Sequence, residues 1–284
     1  MEENRASVTA QGVALRRAVH QLLDDPKVFD DPFAVRILGK ESASALQANP
    51  LQYEVSPLSP YLRAFVAARS RCAEDELAIG VQRGVRQYVI LGAGLDTFAY
   101  RNPYADAGLH VFEVDRPATQ AWKRVRLEEI GSKIPRDLTF APVDFETQTL
   151  AEGLKDAGYD PGACTFFSWL GVTEYLTPEA VMGTLRFIGA APSGSGVVFD
   201  YMISPSLLNA SQRSHFDALE RRVASAGEPW RAFFDPGLLS RDLRGMGFKH
   251  VEDQGPEAIN ARYFKNRKDG LRVGSLSHLM IARV

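Results

Sequence analysis

From about residue 85 onward, short runs rich in apolar and β-branched residues alternate with longer stretches whose apolar positions recur at helical spacing. Strands expected to be buried on both faces read in this continuous way, and strands separated by helical patterns belong to a parallel sheet covered by helices. The pattern predicts strands at 87–91, 110–114, 139–143, 165–169 and 196–201, with helices at 118–130, 150–157 and 178–190. Thr177 and Pro178 open the last of these helices as cap and first-turn residue. Before residue 84 the pattern is helical only, at 7–23 and 60–80, with a turn at Asp31-Pro32. After the fifth strand, 204–230 reads as a helical insertion ending in Gly227 and Pro229, and 248–252 and 277–282 read as closing strands. The expected fold is a single α/β unit with a seven-stranded, mostly parallel sheet and helices on both faces. Its expected parts are a helical cap (1–83), a cofactor-binding half (84–202), a helical lid (203–235) and the closing strands (236–284).

Composition narrows the function. The 284 residues with 45% hydrophobic content suffice for a sizeable core, and 33 basic against 35 acidic residues leave a net charge of -2. Such a balance gives no broad basic surface for phosphate backbones or anionic lipid, so nucleic acid is not an expected partner. The opening Met1-Glu2-Glu3-Asn4-Arg5 is polar, and no stretch approaches a membrane span. Cys72 and Cys164 are far apart and read as reduced thiols, and the protein is expected in the cytoplasm. No metal-ligand spacing is present, so no metal is expected.

The chemistry is concentrated at Gly92-Ala93-Gly94, directly after an apolar run. Glycine at such a turn lets the chain reverse sharply and approach a ligand that a Cβ would exclude, although a lone GxG is more often a plain tight turn. Asp115 ends the next strand, where a carboxylate can accept hydrogen bonds from both ribose hydroxyls. Thr97 stands where a dinucleotide-binding loop has its third glycine, which argues against a pyrophosphate. Asp144-Phe145 ends the third strand; it can address an adenine, or Asp144 can cap a helix beginning near Thr147.

Together with Arg69-Ser70-Arg71, Gly92-Ala93-Gly94-Leu95-Asp96-Thr97, Tyr100-Arg101, Glu113-Val114-Asp115 and Gly171-Val172-Thr173-Glu174-Tyr175-Leu176, these residues resemble the leucine carboxyl methyltransferases and related bacterial O-methyltransferases. The resemblance implies a class I, Rossmann-like methyltransferase fold and S-adenosyl-L-methionine as cofactor. It implies that Gly92 and Gly94 lie against the methionine part, Asp115 holds the ribose, Asp144 and Phe145 hold the adenine, and Arg69 pairs with the cofactor carboxylate. The sequence departs from the family at Leu170, where an acid is common, and at Phe98, where arginine is frequent. Glu174 can replace the missing acid or serve as a charge at a helix N-terminus, the second being the more ordinary role.

The expected acceptor is a small-molecule carboxylate or hydroxyl. A protein C-terminal carboxylate and a nicotinamide-dependent dehydrogenase using the same turn are the alternatives. A carboxylate needs no general base, and no residue is assigned as catalytic. Of the five histidines, His215 on the insertion is the foremost candidate base, although a lone helical histidine is usually incidental. Candidate substrate contacts are Tyr201 at the end of the fifth strand, His215, Arg262 and Tyr263. Trp230, Phe233 and Phe234 line a pocket or form the insertion's own core.

Overall fold

The computed structural model describes residues 8–144, 148–225, 227 and 229–284. Its sheet has seven strands, β1 (Gln87–Leu91), β2 (His110–Asp115), β3 (Leu138–Pro142), β4 (Thr165–Trp169), β5 (Gly196–Met202), β6 (His250–Gln254) and β7 (Ser277–Arg283). They lie in the order β3-β2-β1-β4-β5-β7-β6. β1 to β5 are parallel, and β7 runs antiparallel between β5 and β6. The order reverses between β1 and β4, and open α/β sheets bind ligands outside the carboxyl ends of strands at such a switch point.

The helices are α1 (Val8–Leu23), α2 (Lys40–Ala48), α3 (Ser59–Gln82), α4 (Pro117–Glu129), α5 (Leu150–Asp156), α6 (Pro178–Gly189), α7 (Ala210–Ser225), α8 (Pro236–Gly245) and α9 (Pro256–Tyr263). Strand alternation sorts them onto two faces. Tyr88, Ile90, Val198 and Ile281 pack with Ala64, Ala68, Cys72 and Leu77 of α3 and Ile259 of α9. Val89, Leu91, Phe167, Phe199 and Met280 pack on the opposite face with Leu154 of α5, Leu185 of α6 and Leu243 of α8. A smaller core of Ala14, Ala18, Ile37, Leu46, Leu95 and Leu127 seats α1 and α2 beside the segment that follows β1. No described helix is long and apolar enough to cross a membrane.

Several boundaries differ from the sequence pattern for local reasons. The expected 204–230 helix is a single turn at Pro205–Leu207 followed by α7. Asn209 and Gln212 exchange reciprocal hydrogen bonds, Gln212 N–H to Asn209 Oδ1 at 3.0 Å and Asn209 N–H to Gln212 Oε1 at 2.9 Å, so the helix starts anew there. Trp230 and Phe233 lie beyond it with ring centroids 5.6 and 5.4 Å from Phe216, forming the insertion's own core. The sixth strand is displaced to His250–Gln254 because Phe248 is drawn into the core at 2% exposure beside Gly189 and Leu243. Three short helices, α2, α8 and α9, escaped the pattern. For α8 the signal was present: Asp235 caps it, accepting from Leu238 N–H at 2.9 Å, and Pro236 follows.

Candidate functional site

A cavity of about 770 Å³ opens at the carboxyl ends of β1, β2 and β4, and α1 forms its roof. Arg69, Gly92, Gly94 and Asp115 all line it, together with Leu170, Gly171 and Val172 after β4. Thr9, Ala10, Val13, Ala14 and Arg17 reach it from α1, and Gly227, Pro229 and Arg231 from the lid segment.

The glycines are required by the backbone and by neighbours within the chain. Gly92 has φ +65°, and a Cβ there would come within 2.3 Å of Val172 Cγ2. Gly94 has φ +47°, and a Cβ would meet Ala10 Cβ of the roof at 3.1 Å. Both conformations lie in the left-handed region that only glycine enters freely. The turn therefore brings β1, the segment after β4 and α1 to one point.

Parallel pairing sets Asp115 beside this turn: Ala93 N–H donates to Val114 O at 3.0 Å. The Asp115 carboxylate accepts from Gly94 N–H at 2.5 Å through Oδ2 and from Arg116 N–H at 2.7 Å through Oδ1. Burial pushes its pKa up, against the pull of these two bonds. A dinucleotide loop aims such N–H groups at phosphate, whereas here the Gly94 N–H is already taken by a carboxylate. This donor set fits a nucleoside without phosphate, and Asp115 has the chemistry to hold its ribose.

Thr97 also has a defined role. Its hydroxyl donates to Asp31 Oδ2 at 2.7 Å, and the same oxygen is 2.9 Å from Arg17 Nε. Arg17 Nη2 donates to Leu95 O at 2.5 Å. Asp31, read in the sequence only as a turn residue, is thus the buried hub that ties α1 to the segment after the glycine turn.

Across the cavity, Arg69 Nη1 lies 2.6 Å from Asp200 Oδ2, and Gly171 N–H donates to Asp200 Oδ1 at 2.6 Å. The Arg69 guanidinium lies so close to Gly171 that a Cβ there would be 2.5 Å from Nη2. Glu174 stands in the one-turn helix Thr173–Tyr175 near this pair. Burial, joined by the Asp200 charge, pushes its carboxyl up to about 8, while Arg69 pulls it down. Glu174 thus stands in the first turn of that short helix, ahead of α6, which opens at Pro178 with Thr177 as its cap. Asp200 was missed in the sequence, although a lone acid in Gly196-Val197-Val198-Phe199-Asp200-Tyr201-Met202 is a visible signal.

The remaining candidates fall elsewhere. Asp144 follows β3 and its C=O accepts from Gln148 N–H at 2.8 Å, but α5 is capped by Thr149 in a capping box with Glu152, so Asp144 is not its cap. Phe145 lies outside the described residues. Tyr201 is not among the cavity's lining residues: it is 1% exposed on the opposite sheet face, its hydroxyl donates to Asp253 Oδ1 at 2.6 Å, and its ring packs on Phe234 and His278. His215 is exposed on α7, away from the lining. Arg262 and Tyr263 are held on α9 by Asp75 of α3, at 3.5 and 3.1 Å, which locks helix to helix. Phe98 is 1% exposed with its ring 4.9 Å from Tyr88, so its replacement of an arginine alters the core and not the cavity wall. Leu170, by contrast, does face the cavity.

The sheet order, the phosphate-free glycine turn and Asp115 beside it define a class I methyltransferase. A structural neighbour described as a methyltransferase from Thermobifida fusca YX has a TM-score of 0.58 at 16% identity, covering 99% of this chain and 96% of the other. A DUF574 family protein from Streptomyces avermitilis has the same TM-score at 14% identity, with 99% and 98% covered. Among sequence relatives, YktD of Bacillus subtilis (strain 168), whose name assigns it provisionally to the S-adenosyl-L-methionine-dependent methyltransferases, is 33% identical, covering 99% of both chains. A protein of Mycolicibacterium smegmatis with a similar name is 30% identical over 97% of this chain and 94% of its own length. The leucine carboxyl methyltransferase family profile matches residues 10–189. The chain belongs to the leucine carboxyl methyltransferase family and is an S-adenosyl-L-methionine-dependent methyltransferase. The nicotinamide alternative falls with that assignment.

Proposed function

We propose that the acceptor is an oxygen of a small molecule, a carboxylate or a hydroxyl, taken up between the cap and the lid segment 203–235. The carrying observation is the cavity itself. Its volume of about 770 Å³ falls within the range of roughly 300–1,000 Å³ usual for small-molecule sites, and residues of α1 line it beside the glycine turn.

The cofactor supplies a methyl group on a positively charged sulfur, which an acceptor oxygen takes by in-line displacement. The chain's task is alignment and exclusion of water. In this reading Asp115 accepts from the ribose hydroxyls, Arg69 binds the methionine carboxylate while Asp200 fixes its orientation, and Asp144 with Phe145 receives the adenine. Gly92 and Gly94 keep the backbone of the turn against the cofactor. Val13, Leu170, Val172 and Leu176 give the acceptor space apolar walls. Cytoplasmic residence goes with this reading, supported by the free thiols of Cys72 and Cys164.

The test is transfer of isotopically labelled methyl from S-adenosyl-L-methionine to a panel of small acids, phenols and alcohols, with products read by mass spectrometry and S-adenosylhomocysteine binding read first by calorimetry. Label on small-molecule oxygen is the expected outcome. Label confined to peptide carboxyl termini overturns the small-molecule reading and favours a protein acceptor.

A further inference from the structure

The guanidinium groups of the cavity differ in how they are paired. Arg17 is held by Asp31 at 2.9 Å, and Arg69, oriented by Asp200 at 2.6 Å, is assigned above to the cofactor carboxylate, so neither is left for the acceptor. Arg231, which also lines the cavity, has no such partner: among the described residues it forms no ion pair. Its starting point is fixed, because its backbone N–H donates to Glu174 O at 2.6 Å.

Exposure places Arg231 within the site. Among the lining residues Ala180, Gly227, Pro229 and Arg231 are exposed, whereas Gly94 faces Ala10 beneath the roof. The exposed group marks the mouth through which an acceptor enters. Apolar residues Leu170, Val172 and Leu176 line the same cavity, and Val172 lies against Gly92 of the glycine turn. A planar guanidinium without a carboxylate partner, on a residue that lines a cavity with apolar walls, is suited to a bidentate bond with an oxyanion whose remainder is apolar.

We propose that Arg231 determines acceptor specificity by binding the carboxylate of a small hydroxy acid at the cavity mouth, so that the acid's apolar body lies in the cavity and its hydroxyl, the methyl acceptor, faces the glycine turn. The inference rests on the reading of the chain as a methyltransferase of small acceptors. It adds the charge of the acceptor and the residue that selects it.

Calorimetry on the full chain tests this in two stages. S-Adenosylhomocysteine is titrated first; no binding sinks the cofactor reading before any acid is added. The complex is then titrated with 6-hydroxyhexanoate, 8-hydroxyoctanoate, 4-hydroxybenzoate and 4-hydroxyphenylacetate, each beside its methyl ester, and with a short peptide bearing a free carboxyl terminus. The expected result is binding of at least one small acid, about tenfold or more tighter than its ester, as a charge-assisted hydrogen bond gives. Arg231→Leu should abolish that preference without moving the affinity for S-adenosylhomocysteine, and Arg231→Lys should retain part of it. The proposal is overturned if acid and ester bind alike, if no small acid binds, if Arg231→Leu keeps the preference, or if only the peptide is held.

Discussion

Gly92→Ala tests whether the turn is built as its geometry says. The new methyl group meets two separate penalties. The first is the backbone, since φ +65° lies in the left-handed region, where an L-residue costs about 1–2 kcal/mol. The second is contact: the Cβ would lie 2.3 Å from Val172 Cγ2, well inside van der Waals range, and overpacking of this kind costs about 1–3 kcal/mol. Their sum is about 2–5 kcal/mol, which at about 2–4 °C per kcal/mol for a chain of this size lowers Tm by several degrees or more. Val172→Ala should cost about 1–2 kcal/mol alone, and combined with Gly92→Ala it should recover the contact penalty but not the backbone penalty. Urea unfolding of the four proteins of this cycle, without cofactor, reads both quantities. A coupling of at least about 1 kcal/mol is expected. Strict additivity would mean that the turn and Val172 do not meet, and the account of the glycine would fail.

Three further outcomes follow from the same site and its support. Asp115→Ala should weaken S-adenosylhomocysteine binding by about 1–3 kcal/mol in calorimetry, and unchanged affinity would remove Asp115 from the cofactor. Glu113 and Lys123 form a buried pair at 2.6 Å, each side chain 1% exposed, and burial pushes Glu113 up to about 7 against the pull of Lys123. Glu113→Gln should cost about 3–5 kcal/mol by stranding the ammonium, and Glu113→Leu with Lys123→Met should regain most of it; a double variant no better than the single one refutes the pairing. Glu174 binds its proton more tightly folded than unfolded, so the wild type is favoured at low pH and loses stability as pH rises from about 4.5 to about 8. Glu174→Gln removes this loss, so denaturation midpoints of the two proteins should diverge over that range, and parallel curves would contradict the assignment.

The regular part of the fold was legible because its physics is local. Strands buried on both faces must be apolar throughout, and Tyr88-Val89-Ile90-Leu91 shows it without reference to any partner. Caps that act within three residues were also legible, as at Thr177, or would have been, as at Asp235. What was not legible depends on contacts across long separations. Tyr201 looked like a wall residue because it ends a strand, but one residue of register decides the face, and alternation sends Asp200 to Arg69 and Tyr201 to Asp253. Arg262 and Tyr263 read as candidate substrate contacts in the sequence, whereas α9 sets both against Asp75, nearly two hundred residues earlier in the chain.

The departure at Leu170 is resolved by the same cross-chain geometry. With an apolar residue at that position, the cavity wall after β4 carries no acid of its own, yet negative charge is not missing from this corner. Asp200 reaches it from β5, holding both Arg69 and Gly171 N–H at 2.6 Å, and Glu174 reaches it from four residues further along the same segment. Burial, joined by the Asp200 charge, raises the Glu174 carboxyl, while the Arg69 guanidinium pulls it down. Asp200 thus sets the orientation of Arg69, and the guanidinium keeps its reach into the cavity. An acid at position 170 would place a further negative charge on the cavity wall, whereas with Leu170 there the carboxylate paired with Arg69 is that of Asp200, supplied from the neighbouring strand.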